Sequence, residues 1–397
     1  MNKQISLSAL SDELAQVKTH KKEFLSQIDR IVPWDEWATI IKPHYYKGER
    51  GNKPYDLELM LRIHILQNLY NLADEATACE VIDSRAFSDF CGVASSNQVP
   101  DGDTIGRFRN ILERNGLEQK IFAQVVISLQ KKGLLLKKGT IVDSTFIEAP
   151  SSTKNKEKQR DPDAHQAKKG NNWHFGYKAH IGVDKDSGIV HTVDVTAANV
   201  SDVSETAKLL TGEEETVNGD SGYLGATKRP DAVIRNKKGK KIKYKINRRP
   251  SQVKKLSKSG QYYAKKVEHS KSSVRSKVEH VFAIVKGQLR YRKTRYRGLQ
   301  KQIHKLNMMF SLAKTESGVK ICIQNKGQTI PPEKLKRIFE QFYRLDAARS
   351  GDTGGAGLGL AIAKEIVELH HGTIAASSAD ETIRFEILLP NDCQKIV

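Results

Sequence analysis

Cysteine is scarce and unpaired in this chain of 397 residues: Cys79, Cys91, Cys322 and Cys393 form no CxxC pair and no disulfide-style ladder. That spacing argues against a zinc knuckle and against a stapled secreted fold, and fits a reducing cytoplasm. No apolar run approaches the roughly 18 residues of a membrane span. The opening MNKQISLSALSDEL has no continuous hydrophobic stretch of the secretory kind. The expectation is therefore a soluble protein with no membrane association. No internal repeat is found. Acidic residues are nearly missing from one tract: between Lys228 and Lys301, Asp231, Glu268 and Glu279 stand against 26 Lys plus Arg. That tract carries +23 of a chain whose net charge is +20, so the remainder is slightly acidic.

A charge so concentrated suits a polyanion-binding surface, because each neutralised phosphate releases condensed counterions and the release drives binding. Tyr244, Tyr262, Tyr263, Tyr291 and Tyr296 are interleaved and able to pack against sugars or bases. The bland alternative is a solvated lysine-rich linker. A chain of this length holds two or three domains.

Three zones follow one another. Residues 8 to 131 read as helices, with Leu57, Met60, Leu61, Ile65 and Leu69 among those on a broad apolar face. Asp103 or Thr104 is predicted to cap a helix that stops at Gly116, and its Arg107 and Arg109 are candidate DNA contacts or ordinary surface charges. After Gly139 come short β runs at 140–143, 177–183, 189–196 and 216–220, with Asp184 to Gly188 as a hairpin loop. Residues 151–172 are polar and read as a mobile loop, and 241–246 is strand-like inside a lysine-rich insertion. Ser272 to Leu289 is predicted helical, since Arg275, Glu279, Phe282 and Lys286 recur on one stripe. Near Leu312 the composition breaks, and from Thr315 onward 10 basic residues face 11 acidic ones.

Phosphodiester transfer uses two hard cations about 4 Å apart, and carboxylates are their natural ligands. Asp143 and Asp220 stand at the ends of apolar β runs, and Glu279 lies on a helix embedded in positive charge. Singly, such an Asp is a turn former or cap, and such a Glu an ion-pair partner for Arg275 or Lys277. Together they form a set able to converge.

The stretch from about Arg50 to Leu312 resembles the transposases of insertion-sequence family five, within the DDE group. The matching segments are VDSTFIEAP around Asp143, WHFGYKAHIGVD at 173–184, VNGDSGYLGA around Asp220 and VRSKVEHVFAIVK around Glu279. The family's Tyr, Arg, Glu, Lys signature has gaps of two, three and six residues. Arg275, Glu279 and Lys286 keep those gaps, while Ser272 takes the Tyr position.

The resemblance implies an α/β fold: an RNase H-like mixed-sheet core at 134–314 with a basic insertion at about 228–268, preceded by an all-α module at 1–133. It implies that Asp143, Asp220 and Glu279 bind two Mg²⁺ or Mn²⁺ ions, and that Arg275 and Lys286, with Arg290, Arg292 and Lys293, contact DNA. It implies nicking at the element's terminal inverted repeats, attack of the freed 3′-hydroxyls on target DNA, and a homodimer or larger synaptic oligomer at the bacterial nucleoid.

Residues 315–397 carry a second resemblance. IQNKGQTIPPEKLKRIFEQFYRLD and GGAGLGLAIAKEIVELHHGTI look like a truncated sensor histidine-kinase ATP-binding domain of the glycopeptide-resistance type, a partial α+β fragment. There Asn325, Gly327, Gly355, Gly357 and Gly359 correspond to the nucleotide site. The phosphoacceptor helix and the asparagine-bearing helix that should come before Asn325 are missing, and LNMMFSLAK stands in their place. The resemblance thus implies a gene fusion whose ATP site is non-functional and whose strands lack partners. Two rival readings stay open: an inactive DNA-binding fusion protein and an ATP-binding signalling remnant.

Overall fold

The computed structural model describes residues 19–46, 53–154 and 158–315, and, nearer the C-terminus, 319–335, 337–340, 342–343, 358–369, 373–379 and 381–389. They fall into two compact units that divide at Thr315 and Glu316.

The first unit begins with helices α1 (His20–Ile31), α2 (Trp34–Ile41), α3 (Leu57–Leu69), α4 (Asp74–Asp83), α5 (Arg85–Cys91), α6 (Gly102–Arg114) and α7 (Leu117–Lys131). The expected helices before residue 19 lie outside the described residues. Caps set the starts: the Asp56 carboxylate accepts the amides of Glu58 and Leu59 at 2.9 and 3.1 Å, opening α3. The α6 cap is Asp101 rather than Asp103 or Thr104, because its carboxylate accepts the Thr104 amide at 2.7 Å. Gly102 can then be the first helical residue, where a Cβ would lie 2.2 Å from the Glu75 carboxylate. Gly116 takes φ +60° and ends the run as its sequence position suggests.

Strands β1 (Gly139–Glu148), β2 (His165–Lys169), β3 (Asn172–Asp184), β4 (Val190–Ala197), β5 (Thr216–Gly219) and β6 (Lys243–Ile246) form one mixed sheet. β1, β3 and β4 pair antiparallel, while β5 and β6 run parallel to β1. The resulting order β4–β3–β1–β5–β6 is RNase H-like. Two sequence expectations change. β1 runs five residues past Asp143, and 151–172 is no plain loop, because β2 folds back on the start of β3 as a hairpin.

Between β4 and β5 lies the short helix α8 (Asp202–Glu205). After β6 come α9 (Pro250–Lys254), the long α10 (Lys258–Ala283), a π turn at Ile284–Gln288, and α11 (Leu299–Thr315). α10 packs on β1, and α11 packs on α7 and β4. One hydrophobic core runs from Leu25 and Trp37 through Ile141 and Tyr177 to Leu312, so helices and sheet share an interior across residue 133.

The second unit holds strands β7 (Val319–Lys326), β8 (Thr373–Ala379) and β9 (Thr382–Leu389), with α12 (Pro332–Leu335) and α13 (Gly359–Leu369). β9 pairs antiparallel with both β7 and β8, so these strands do find partners, contrary to the sequence expectation. No helix among the described residues is long and apolar enough to cross a membrane.

Because the core closes by Leu312, a chain ending at Thr315 is expected to unfold within about 3 °C of the full-length protein, the shift that ~1 kcal/mol produces. Scanning calorimetry of the two chains checks this. A drop of more than about 10 °C would mean that the second unit supports the first.

Candidate active site

Asp143 lies in mid-strand and Asp220 one residue past the end of β5. The parallel register pairs Gly139 with Thr216, Thr140 with Val217 and Ile141 with Asn218. Two residues further along each strand come Asp143 and Asp220, so the sheet sets two carboxylates side by side. Asp220 also caps the turn that follows, accepting the Gly222 amide at 2.8 Å.

α10 brings the third acid across β1. Arg275 Nη1 lies 3.3 Å from Asp143 Oδ2, and Nη2 lies 3.9 Å from Glu279 Oε1 one helical turn on. One guanidinium thus bridges Asp143 and Glu279. The Glu279 side chain is 68 % exposed against 13 % for Asp143. Among the described residues no three His, Cys, Asp or Glu side chains stand close enough to hold a metal as a set. The full convergence expected of Asp143, Asp220 and Glu279 is therefore incomplete as placed, because Arg275 occupies the space between two of them.

Burial pushes the Asp143 carboxyl up to about 6; the Ser144 amide and Arg275 oppose this, and Asp220 adds to it. The Tyr223 hydroxyl is buried nearby, beside the Ser144 side chain. Burial, then Asp143, Asp202 and Asp220, push it well above the usual phenol range. Gly222 sits at the mouth of this cluster, where a Cβ would lie 2.9 Å from Asp220 Oδ1 and 3.6 Å from Asp202 Oδ2. The buried Asp143 carboxylate with Asp220 beside it supplies hard oxygen donors of like charge, the donor chemistry that divalent ions take.

The cations assemble beside the acids. Lys286 sits half-buried in the π turn, its ammonium held below its ordinary value by burial and by Lys169, with Arg292 adding and Glu148 opposing. Lys169, at the end of β2, bears on both Lys286 and Asp143. Arg292 donates from Nε to the Lys286 carbonyl at 3.0 Å. Backbone bonds of Glu148 with Arg292 and Thr294, at 3.0 and 2.8 Å, fasten this segment, Lys293 included, to the end of β1. Arg290, Arg292 and Lys293 are exposed.

Of the earlier pair, Arg107 is exposed on α6. Arg109 turns inward: only 11 % exposed, it pairs with Asp74 at 2.9 Å and Glu113 at 2.7 Å and lies 4.1 Å above the Tyr296 ring. Its charge is already matched inside the protein.

Sequence reasoning missed Asp202, Tyr223, Lys169 and Lys178. Lys178 Nζ donates to Asp202 Oδ1 at 3.1 Å and to the Val200 carbonyl at 2.8 Å. GDSGY could have flagged the tyrosine, but the Ser201-Asp202 pair reads only as a helix start.

In the second unit, Asn325 pairs with Ile383 across β7 and β9, the Gly327 amide donates to the Glu381 carbonyl at 2.9 Å, and Gly359 opens α13. Gly355 and Gly357 lie outside the described residues.

Three family patterns match the chain. One described as "Transposase domain (DUF772)" covers residues 12–111, and one described as "Transposase DDE domain" covers 135–313. A third, "Histidine kinase-, DNA gyrase B-, and HSP90-like ATPase", covers 298–392. The last two overlap on α11, which folds with the first unit and shares its core. Transposase DDE domains generally use divalent metal ions, in keeping with the carboxylate pair. Together these matches fit a DDE transposase fused at its C-terminal end to a segment of the histidine-kinase type of ATPase.

Proposed function

We propose that the chain cuts DNA at the terminal inverted repeats of its element and joins the freed 3′ ends to target DNA. The observation that carries this reading is the side-by-side placement of Asp143 and Asp220 with Glu279 reached through Arg275. Asp143 and Asp220 would hold divalent ions, Mg²⁺ or Mn²⁺ by the hardness of the oxygen donors, and the exposed Glu279 would join them with its side chain turned inward. When bound, such cations would supply charge stabilisation to the phosphate and would acidify the attacking hydroxyl or water. Arg275, released from the acids, is free to pair with a phosphate. Lys286, Arg292, Arg290 and Lys293 track the backbone beside the scissile bond. Arg107 is a further contact on α6; Arg109 is not, because Asp74 and Glu113 already pair with it.

Joining needs two ends held together, so a homodimer or larger complex with both inverted repeats is part of the proposal, and a cytoplasmic setting at the nucleoid goes with it. The test is cleavage and joining of duplexes that carry the element's ends, with and without Mg²⁺. Ion-dependent nicks at the ends support the proposal. DNA binding with no nicking at any ion concentration would instead leave an inactive end-binding protein.

A second outcome concerns binding alone. Replacing Lys286 and Arg292 with Ala is expected to weaken duplex binding about tenfold at physiological salt and to lower the slope of log K against log salt by about 1.8, since each lost phosphate contact removes about 0.9. Fluorescence anisotropy across a salt series measures both. An unchanged slope would move the DNA track elsewhere.

A further inference from the structure

Lys305 lies buried on α11 with no acid to match it. The residue is 8 % exposed, yet among the described residues its ammonium has neither a hydrogen bond nor an ion pair. What it meets is ring faces, with Nζ 5.3 Å from the centre of Tyr291 and 6.0 Å from that of Tyr296. Buried lysines are almost always paired, because taking a bare ammonium out of water is costly and ring faces offset only part of that cost. Burial, then Arg295 and Arg109, hold this ammonium below its ordinary value, with Asp74 opposing.

Other cations crowd the same place. Lys301 sits one turn earlier on the same face of α11, partly buried, with Nζ 5.9 Å from the Tyr296 centre. Arg295 is exposed in the segment that leads into α11. Neither has a carboxylate partner among the described residues. The nearby acids are already engaged: Arg109 pairs with Asp74 and Glu113, and His304 Nδ1 stands 3.2 Å from Glu118 Oε2. Three unmatched positive charges repel one another, and an anion between them turns that repulsion into attraction. Lys301 and Lys305 line a cavity of about 10 Å³, which holds one water-sized atom and so a single oxygen of a larger anion. Arg290, Arg292 and Lys293 are exposed along the chain just before Arg295, so a nucleic-acid strand that follows these cations is led toward this cavity.

We propose that Arg295, Lys301 and Lys305 form a phosphate-binding site, in which one phosphate oxygen enters the cavity beside Lys305 while the others stay outside, facing Lys301 and Arg295. A negative group there gives the buried ammonium its missing partner, and charge-assisted hydrogen bonds from lysine and arginine are the strong kind. A backbone phosphate of DNA and a free phosphate ion offer the same chemistry, and they differ in the salt dependence they produce. The site uses none of Asp143, Asp220 and Glu279, so it stands or falls apart from the cleavage reading.

Inorganic phosphate added to the full-length protein at constant ionic strength, with chloride as the comparison, reads the site through the melting midpoint. Phosphate is expected to raise the wild-type midpoint in a saturable way, and chloride to leave it nearly unmoved. Lys305→Met, which keeps the buried volume, and Arg295→Gln, at an exposed position, are each expected to weaken phosphate about tenfold. A purely structural lysine would change the midpoint itself and leave the response to phosphate as it is. Binding of duplexes that carry the element's ends identifies the source. A salt slope lower by about 0.9 in Lys305→Met, with phosphate competing against the duplex, assigns the site to a DNA phosphate. An unchanged slope beside a lost phosphate response assigns it to the free ion. No phosphate response in the wild type, or the same response in all three proteins, overturns the proposal.

Discussion

Replacing Asp143 with Asn is expected to abolish Mg²⁺-dependent end cleavage, by ~10³-fold or more, while making the metal-free protein more stable. The loss follows from removing a carboxylate that holds a cation worth several kcal/mol to the transition state. The gain follows from burial. In the folded protein the Asp143 carboxyl keeps its proton up to about 6, against an ordinary value of 3.8. Between those two values the folded state binds more protons than the unfolded one, so stability falls as pH rises through the window. Above it the full penalty applies, on the order of 3 kcal/mol. Asn carries no charge to bury, so at pH 7 the variant escapes that penalty and melts higher. Added Mg²⁺ should then raise the midpoint of the wild type and leave the variant where it is. An acid that merely braced the fold would behave the other way, its removal lowering stability at every pH. Melting curves from pH 4 to 8, with and without Mg²⁺, distinguish the two. A variant less stable than wild type at pH 7 would sink the reading of Asp143 as a cation ligand kept ready in a buried pocket.

The side-by-side placement of Asp143 and Asp220 was legible because ordinary strand patterning is enough to bring the two strand ends together, whereas the distance of Glu279 from them was not. The stripe carrying Arg275 and Glu279 was legible from 3.6 periodicity, but Lys286 lies past the end of α10 in the π turn at Ile284–Gln288, which the predicted helix over 272–289 did not foresee. What failed to show was whatever depends on a distant partner. β2 is polar on both faces, so HQAKK gives no alternating apolar signal; only its pairing across the turn with the start of β3 makes it a strand. Arg109 reads as a surface cation because Asp74 lies 35 residues earlier in the chain and its pairing cannot be seen along one helix. Asp202 depends on Lys178 and Ser144, both on other strands. α3 looked amphipathic, yet His64, Gln67 and Asn68 are buried as thoroughly as its leucines. Their company explains why.

Those polar groups meet Glu118 of α7 and His304 of α11 inside the first unit. Glu118 is 2 % exposed, with Oε2 3.2 Å from His304 Nδ1 and Oε1 3.7 Å from His64 Nε2. Burial holds His64 near 3, so that ring is neutral, and burial pushes the Glu118 carboxyl upward while His304 opposes it. A cavity of about 10 Å³ lies among them, the size of one water. The acid therefore fastens a helix of the N-terminal module to a helix that packs on the sheet. Glu118→Ala is expected to cost ~3–5 kcal/mol, because it strands the buried His304 and its polar neighbours. Glu118→Gln, which keeps the shape and one acceptor, is expected to cost about 1–2 kcal/mol. Lys305 beside them gives a check of opposite sign. Burial, with Arg295 and Arg109 adding and Asp74 opposing, lowers its ammonium to about 7 from 10.5, so across that window the unfolded chain binds the extra proton and stability rises with pH. Lys305→Met should flatten that rise and leave the protein more stable at pH 7. Urea unfolding from pH 6 to 9 reads all three variants, and a Glu118→Ala protein as stable as wild type would show that the helices are joined by their apolar contacts alone.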